Sequence, residues 1–138
     1  MSVEAALYTI LKADRTVTGL VGVVSPRIYP IGIPQGKSVP AIVYQQIAGG
    51  RPKSTTGTIG FCYALFQITC WDDDLLGARA LADAVRDALD DFTGTPVVGG
   101  NEIMQCSVVG EGDAINLDEA ETADRIGKRL DVEIAYVD

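Results

Sequence analysis

From Cys62 to Cys70 every second residue (Cys62, Ala64, Phe66, Ile68, Cys70) is apolar, and the intervening Phe61, Tyr63, Leu65, Gln67, Thr69 and Trp71 are mixed. Side chains along a strand alternate between the two faces of a sheet. This stretch, read as a strand over about residues 60–71, therefore dictates a sheet with one fully apolar face. The other face is only partly polar and needs cover. The flanking segments have to supply helices for the first face and polar connections for the rest.

The best helix follows directly. Asp72-Asp73-Asp74 ends the strand, and Ala78, Leu81, Ala82, Val85, Ala88, Leu89 and Phe92 form a stripe at helical spacing. Arg79 with Asp83 and Arg86 with Asp90 are spaced as ion pairs on its wet side, and Thr93-Gly94-Thr95-Pro96 stops it. An earlier helix is predicted over residues 3–13, with Val3, Ala6, Leu7, Ile10 and Leu11 on one face and Ser2 as its cap. Val17 to Val24 reads as a loose turn, because Gly19 and Gly22 weaken a helix there. Ser25 to Gly36 holds three prolines and is predicted to wrap the domain as an extended strap.

Three more strands complete the pattern: Ala41 to Ile47 after Pro40, Glu102 to Val109, and Arg125 to Val137. In the last, Ile126, Leu130, Val132, Ile134 and Tyr136 alternate with Arg129, Asp131 and Glu133, and only Lys128 breaks the apolar set. The polar run from Gly49 to Thr58 is a long hairpin loop or arm, and Glu111 to Asp124 is a second, acidic loop. The expected fold is α+β, one domain over residues 1–138. Its mainly antiparallel four-stranded sheet carries two helices packed on one face, in the order α-β-β-α-β-β.

Chemistry is hard to place on this chain. It has no histidine, the commonest general base and metal ligand. Asp72-Asp73-Asp74 reads as a helix cap rather than a metal site, since adjacent carboxylates do not converge. The acidic loop lacks calcium-loop spacing, and the Gly49-Gly50 region lacks the phosphate-loop pattern. The three cysteines, Cys62, Cys70 and Cys106, fall in apolar strand register and read as core residues. No catalytic, cofactor or metal residue is assigned, and the chain is not expected to be an enzyme. A net charge of −8 with scattered basic residues argues against sequence-specific DNA binding. No apolar run has the roughly 20 residues of a membrane helix. Met1 to Leu11 lacks the basic start of a signal peptide, so a cytoplasmic protein, or one assembled there, is expected.

What remains is surface. The candidate subunit or partner contacts are the basic arm with Arg51, Lys53, Thr55 and Thr56, the mixed strand face with Phe61, Tyr63 and Trp71, and the acidic loop with Glu111, Asp113, Asp118, Glu119 and Glu121.

The order of these features is also distinctive. An amphipathic helix leads into Arg27-Ile28-Tyr29-Pro30, then Ile33-Pro34-Gln35 and Val39-Pro40-Ala41-Ile42-Val43-Tyr44-Gln45. A Gly/Thr-rich arm, the strand Ala64 to Trp71 and the Ala/Arg-rich helix Ala78 to Leu89 follow. This set resembles the tail-completion proteins of long-tailed bacteriophages, also called tail terminators or head–tail joining proteins. The resemblance is strongest over residues 3–92. It implies a non-catalytic virion protein forming a ring, usually a hexamer, at the head-proximal end of the tail tube. The implied partners are other copies of the chain, the tail-tube protein and the head connector or stopper, with DNA passing through the lumen without specific binding and no membrane involved. Another neck or tail component, a stopper or a tube subunit, fits the same features. A small-molecule-binding module or histidine-free hydrolase would instead need a concave pocket with convergent polar groups.

Overall fold

The computed structural model describes residues 3–24, 26–33, 39–50, 53–54, 57–58, 62–96, 100, 102–115 and 126–137. In chain order the elements are α1 (Val3–Ala13), α2 (Arg15–Val21), β1 (Ile28–Pro30), β2 (Ala41–Gly50), β3 (Lys53–Ser54), β4 (Gly57–Thr58), β5 (Cys62–Asp72), α3 (Leu75–Leu89), β6 (Glu102–Ile115) and β7 (Ile126–Val137). Five strands form one sheet in the order β1-β2-β5-β7-β6, and β3 and β4 form a separate two-stranded ribbon.

The alternation in β5 has the predicted consequence. Cys62, Ala64, Phe66, Ile68 and Cys70 are all buried, and the last four pack in one core with the apolar stripes of α1, α2 and α3. The neighbouring strands obey the same register. Phe66 stands opposite Gln46 on β2 and Val132 on β7, and Ile68 opposite Tyr44 and Leu130. Asp74 caps α3 by accepting from the Leu76 N–H at 3.1 Å, as the acidic run before that helix predicts.

The class expected from sequence holds, and its details change. The sheet has five strands and is mixed, not four-stranded and antiparallel. The extra strand comes from the proline-rich strap: Ile28, Tyr29 and Pro30 pair in parallel with Ile42, Val43 and Tyr44. Ile28 buries its side chain in the core, and the Arg27 Nε–H donates to the Pro40 carbonyl at 2.7 Å, which ties the strap to the start of β2. Proline at the end of a short edge strand costs no ladder bond.

A third helix replaces the loose turn. The Asp14 carboxylate accepts from the Thr16 and Val17 N–H groups at 2.9 and 3.0 Å, and Val17 and Val21 are wholly buried. Capping and burial together outweigh the roughly 1 kcal/mol penalty of Gly19. Gly22 then closes the helix at a φ of 114°.

The strand before the acidic loop runs on to Ile115, so Glu111 and Asp113 belong to β6 and not to a loop. Bulges at Met104 and Val109 let β6 follow β7 over its whole length. Part of the arm is strand: β2 reaches Gly50, and Lys53 pairs with Thr58 and Ser54 with Gly57. On α3, Arg86 does not pair with Asp90. It contacts Asp83 at 3.3 Å, Asp87 at 3.5 Å and Glu111 at 3.7 Å, and Asp90 accepts from the Val108 N–H at 3.2 Å. Ser2, the cap predicted for α1, lies outside the described residues.

Among the described residues Phe66 is the largest fully buried side chain. Phe66→Ala is expected to lower the unfolding free energy by about 3–5 kcal/mol. Asp14→Ala, which loses only a helix cap, should cost about 1 kcal/mol. Urea titration followed by circular dichroism measures both.

Candidate assembly surfaces

Because all three helices pack on one face, register assigns the second face of the sheet to Tyr29, Val43, Tyr63, Leu65, Thr69 and Trp71, among others. The large side chains there lie on glycines of the adjacent strands. A Cβ at Gly127 would sit 3.0 Å from the Trp71 ring and from the Thr69 methyl. One at Gly50 would meet the Tyr63 ring at 2.8–3.1 Å, and one at Gly112 the Arg129 guanidinium at 2.8 Å. Only glycine lets these side chains lie flat against the backbone. The effect is to bury Val43, Thr69 and Ala41 without a covering helix, while Tyr63 remains 40% exposed.

Arg129 on this face is incompletely satisfied. Its Nε is buried and has no hydrogen-bond partner, although Asp131 Oδ1 lies 3.6 Å away. That separation is too long for a hydrogen bond, so the carboxylate supplies charge and not a bond. The Arg129 side chain is 40% exposed, and screening keeps the pair's contribution small.

The predicted contact residues separate into two places. Tyr63 and Trp71 share the open face but stand eight residues apart on β5, about 27 Å at strand spacing. Glu111 and Asp113 are on the opposite, helix side of β6, because the bulge at Val109 flips the alternation. Glu111 pairs with Arg86 and Asp113 with Lys128. Lys53 is known by its backbone pairing in β3. Arg51, Thr55, Thr56, Phe61, Asp118, Glu119 and Glu121 lie outside the described residues.

Glu111, Asp113 and Lys128 line, with Arg79 and Asp83, a cleft of about 270 Å³ between α3 and the β6–β7 edge. Its charged groups face each other beside Ala82 and Leu130, so the lining is mixed. Lys128 and Arg86, which pair with Asp113 and Glu111, are not among the contact residues that the sequence suggests. The signal for Lys128 is its break in the apolar alternation of β7, a cation placed where an aliphatic side chain is expected.

No group of three or more Cys, Asp or Glu residues placed to hold a metal ion occurs among the described residues. The three cysteines are buried and unpaired with each other. Burial pushes the Cys70 thiol far above its ordinary range. It pushes Cys106 up to about 12, with the Asp90 carboxylate adding to the effect. Such thiols are poor nucleophiles at neutral pH. Tyr44 is likewise raised, by burial first and then by Glu4 and Tyr8 of α1.

A single-sided α+β subunit with open sheet surface and unreactive interior thiols has the features of an assembly protein. The family model described as tail completion protein gp17 matches residues 5–126. The chain belongs to that family, and is a structural protein of the phage tail, located in the virion. No curated protein matches it. Eighteen chains of solved structures match. One is from a structure entitled "Virion of native gene transfer agent (GTA) particle", with a TM-score of 0.69 and 19% identity, covering 99% of this chain and 96% of the other. At that identity the likeness is one of fold.

Two outcomes follow from the packing. Gly127→Val should displace the Trp71 ring, cost about 1–3 kcal/mol, and shift the emission of this sole tryptophan to the red. The thiols set a pH dependence. With Cys70 and Cys106 raised above 9.0 in the folded chain, the unfolded state loses these protons first. Stability is then full below pH 9 and falls as pH rises towards 12. Cys70→Ala should flatten that alkaline decline in a denaturation series.

Proposed function

We propose that copies of this chain form a hexameric ring at the head-proximal end of the phage tail, where the ring ends the tail tube and joins it to the head connector. Membership of the tail completion family supports the location. The observation that carries the ring is the one-sided packing of the sheet. Three helices cover one face, and no described helix covers the face with Tyr63, Leu65 and Trp71. Neighbouring subunits would cover such surface, as in other closed assemblies.

The charge fits a channel for DNA. Each copy contributes a net −8, so the ring repels phosphates on balance and leaves DNA free to slide. The work is done by geometry: a closed ring offers one face to the last layer of the tube and the other to the connector. No bond is made or broken, and the buried thiols take no part.

Light scattering on the concentrated protein should give a mass about six times that of the chain, and negative-stain images should show closed rings of one size. Added to polymerising tail-tube protein, the chain should shorten the tubes and sit at one end of each. A protein that stays monomeric at high concentration, or that itself polymerises into long tubes, contradicts the proposal.

A further inference from the structure

The two edges of the sheet differ in what they offer another chain. At the β1 edge the donors are spent. Pro30 has no N–H, the Ile28 N–H donates to the Pro26 carbonyl at 2.9 Å, and the Pro30 carbonyl accepts from Gly32 at 2.7 Å. The last of these bonds is made around Ile31, which takes a φ of 68°. Closing an edge in this way blocks strand addition.

The β6 edge is closed over its first half only. Ile103 exchanges both backbone bonds with Gly94, at 2.7 and 3.0 Å. The Cys106 carbonyl accepts from the Asp91 N–H at 2.8 Å, and the Val108 N–H donates to the Asp90 carboxylate at 3.2 Å. Beyond the Val109 bulge, Gly110, Gly112 and Ala114 face β7 and make the ladder. The alternation turns the backbone groups of Glu111 and Asp113 outwards. These outward groups have no backbone partner among the described residues.

Among the described residues the chain also carries strand structure outside the main sheet. The β3–β4 ribbon pairs only with itself among the described residues, and an isolated two-stranded ribbon is marginally stable in water. Residues 49–60 contain Arg51 and Lys53 and no carboxylate, which complements Glu111 and Asp113. Gly50 and Tyr63, between which the ribbon lies in the sequence, are level with Ala135 of β7, whereas the free edge of β6 is level with Lys128. Seven residues of strand, about 23 Å, separate the two levels.

We infer that the β3–β4 ribbon of one copy adds as a strand to the free edge of β6, at Glu111 and Asp113, of the next copy. The contact is head-to-tail, with different surfaces on the two sides, so repetition closes a ring when the rotation permits. Main-chain bonds provide the affinity, and the carboxylates of β6 select a basic segment. The inference rests on the ring reading above and adds its seam.

The test separates backbone from charge. Glu111→Pro with Asp113→Pro removes the outward N–H groups and leaves the inward ladder to β7. Glu111→Ala with Asp113→Ala removes the same carboxylates and keeps those N–H groups. Circular dichroism and urea titration establish that each variant is folded, and sedimentation velocity reads assembly. Self-association should weaken at least tenfold in the proline variant and stay within threefold of the parent in the alanine variant. A ribbon variant, Lys53→Pro with Thr58→Pro, should fail alone, and its mixture with the folded β6 proline variant should stop at dimers. A parent that forms rings, with a β6 proline variant that forms them equally well, overturns this inference alone. A parent that stays monomeric overturns the ring and its seam together.

Discussion

The burial of one complete face of β5 is the constraint on which the rest of the structure depends. Five alternate side chains, from Cys62 to Cys70, are sealed from water, and β5 is the middle strand of the sheet. Sliding either neighbour by one residue would drive polar groups into that layer and apolar ones out of it. The register of β2 and β7 is therefore fixed from the centre. The three helices have only one face on which their stripes find a matching surface. The edges, far from this layer, are free to vary and carry the features that distinguish the molecule.

How far the fold could be read in advance follows the same gradient. β5, α3 and β7 carry strong periodicities and appear where the pattern places them. β1 has three residues and no period of its own; it becomes a strand because Ile42 to Tyr44 offers a parallel partner. α2 was hidden by its glycines, since the Asp14 cap and the buried Val17 and Val21 act through geometry that composition does not display. The run Gly110-Glu111-Gly112-Asp113 has the chemistry of a turn. Its glycines are instead the ladder positions of β6, and one lies beneath Arg129.

Composition picks out candidate surface residues, and only the register places them. The exposed aromatic face with Tyr63 and Trp71 follows from the period of β5. That Glu111 lies on the other side of the sheet depends on one extra residue at Val109, which reverses the parity of the rest of β6. Bulges leave little trace in a single sequence. Neither do the bonds of Asp90, Asp91 and Gly94 that close half of the β6 edge, since they join groups that no sequence period relates.

The position of β7 has a consequence for the order of events in synthesis. It lies between β5 and β6, both of which precede it in the chain. Cys62 is aligned with Tyr136, so the central seam closes across more than half of the polypeptide. Until residues 126–137 leave the ribosome, β5 and β6 have no strand between them and the floor beneath α3 is incomplete. A nascent chain can form its helices and the β2–β5 hairpin early. The layer under α3 closes last, when β7 inserts, and chains of such long-range connectivity fold slowly for their size. Where many copies are made at once, that interval is when unfinished subunits expose the most strand edge to one another.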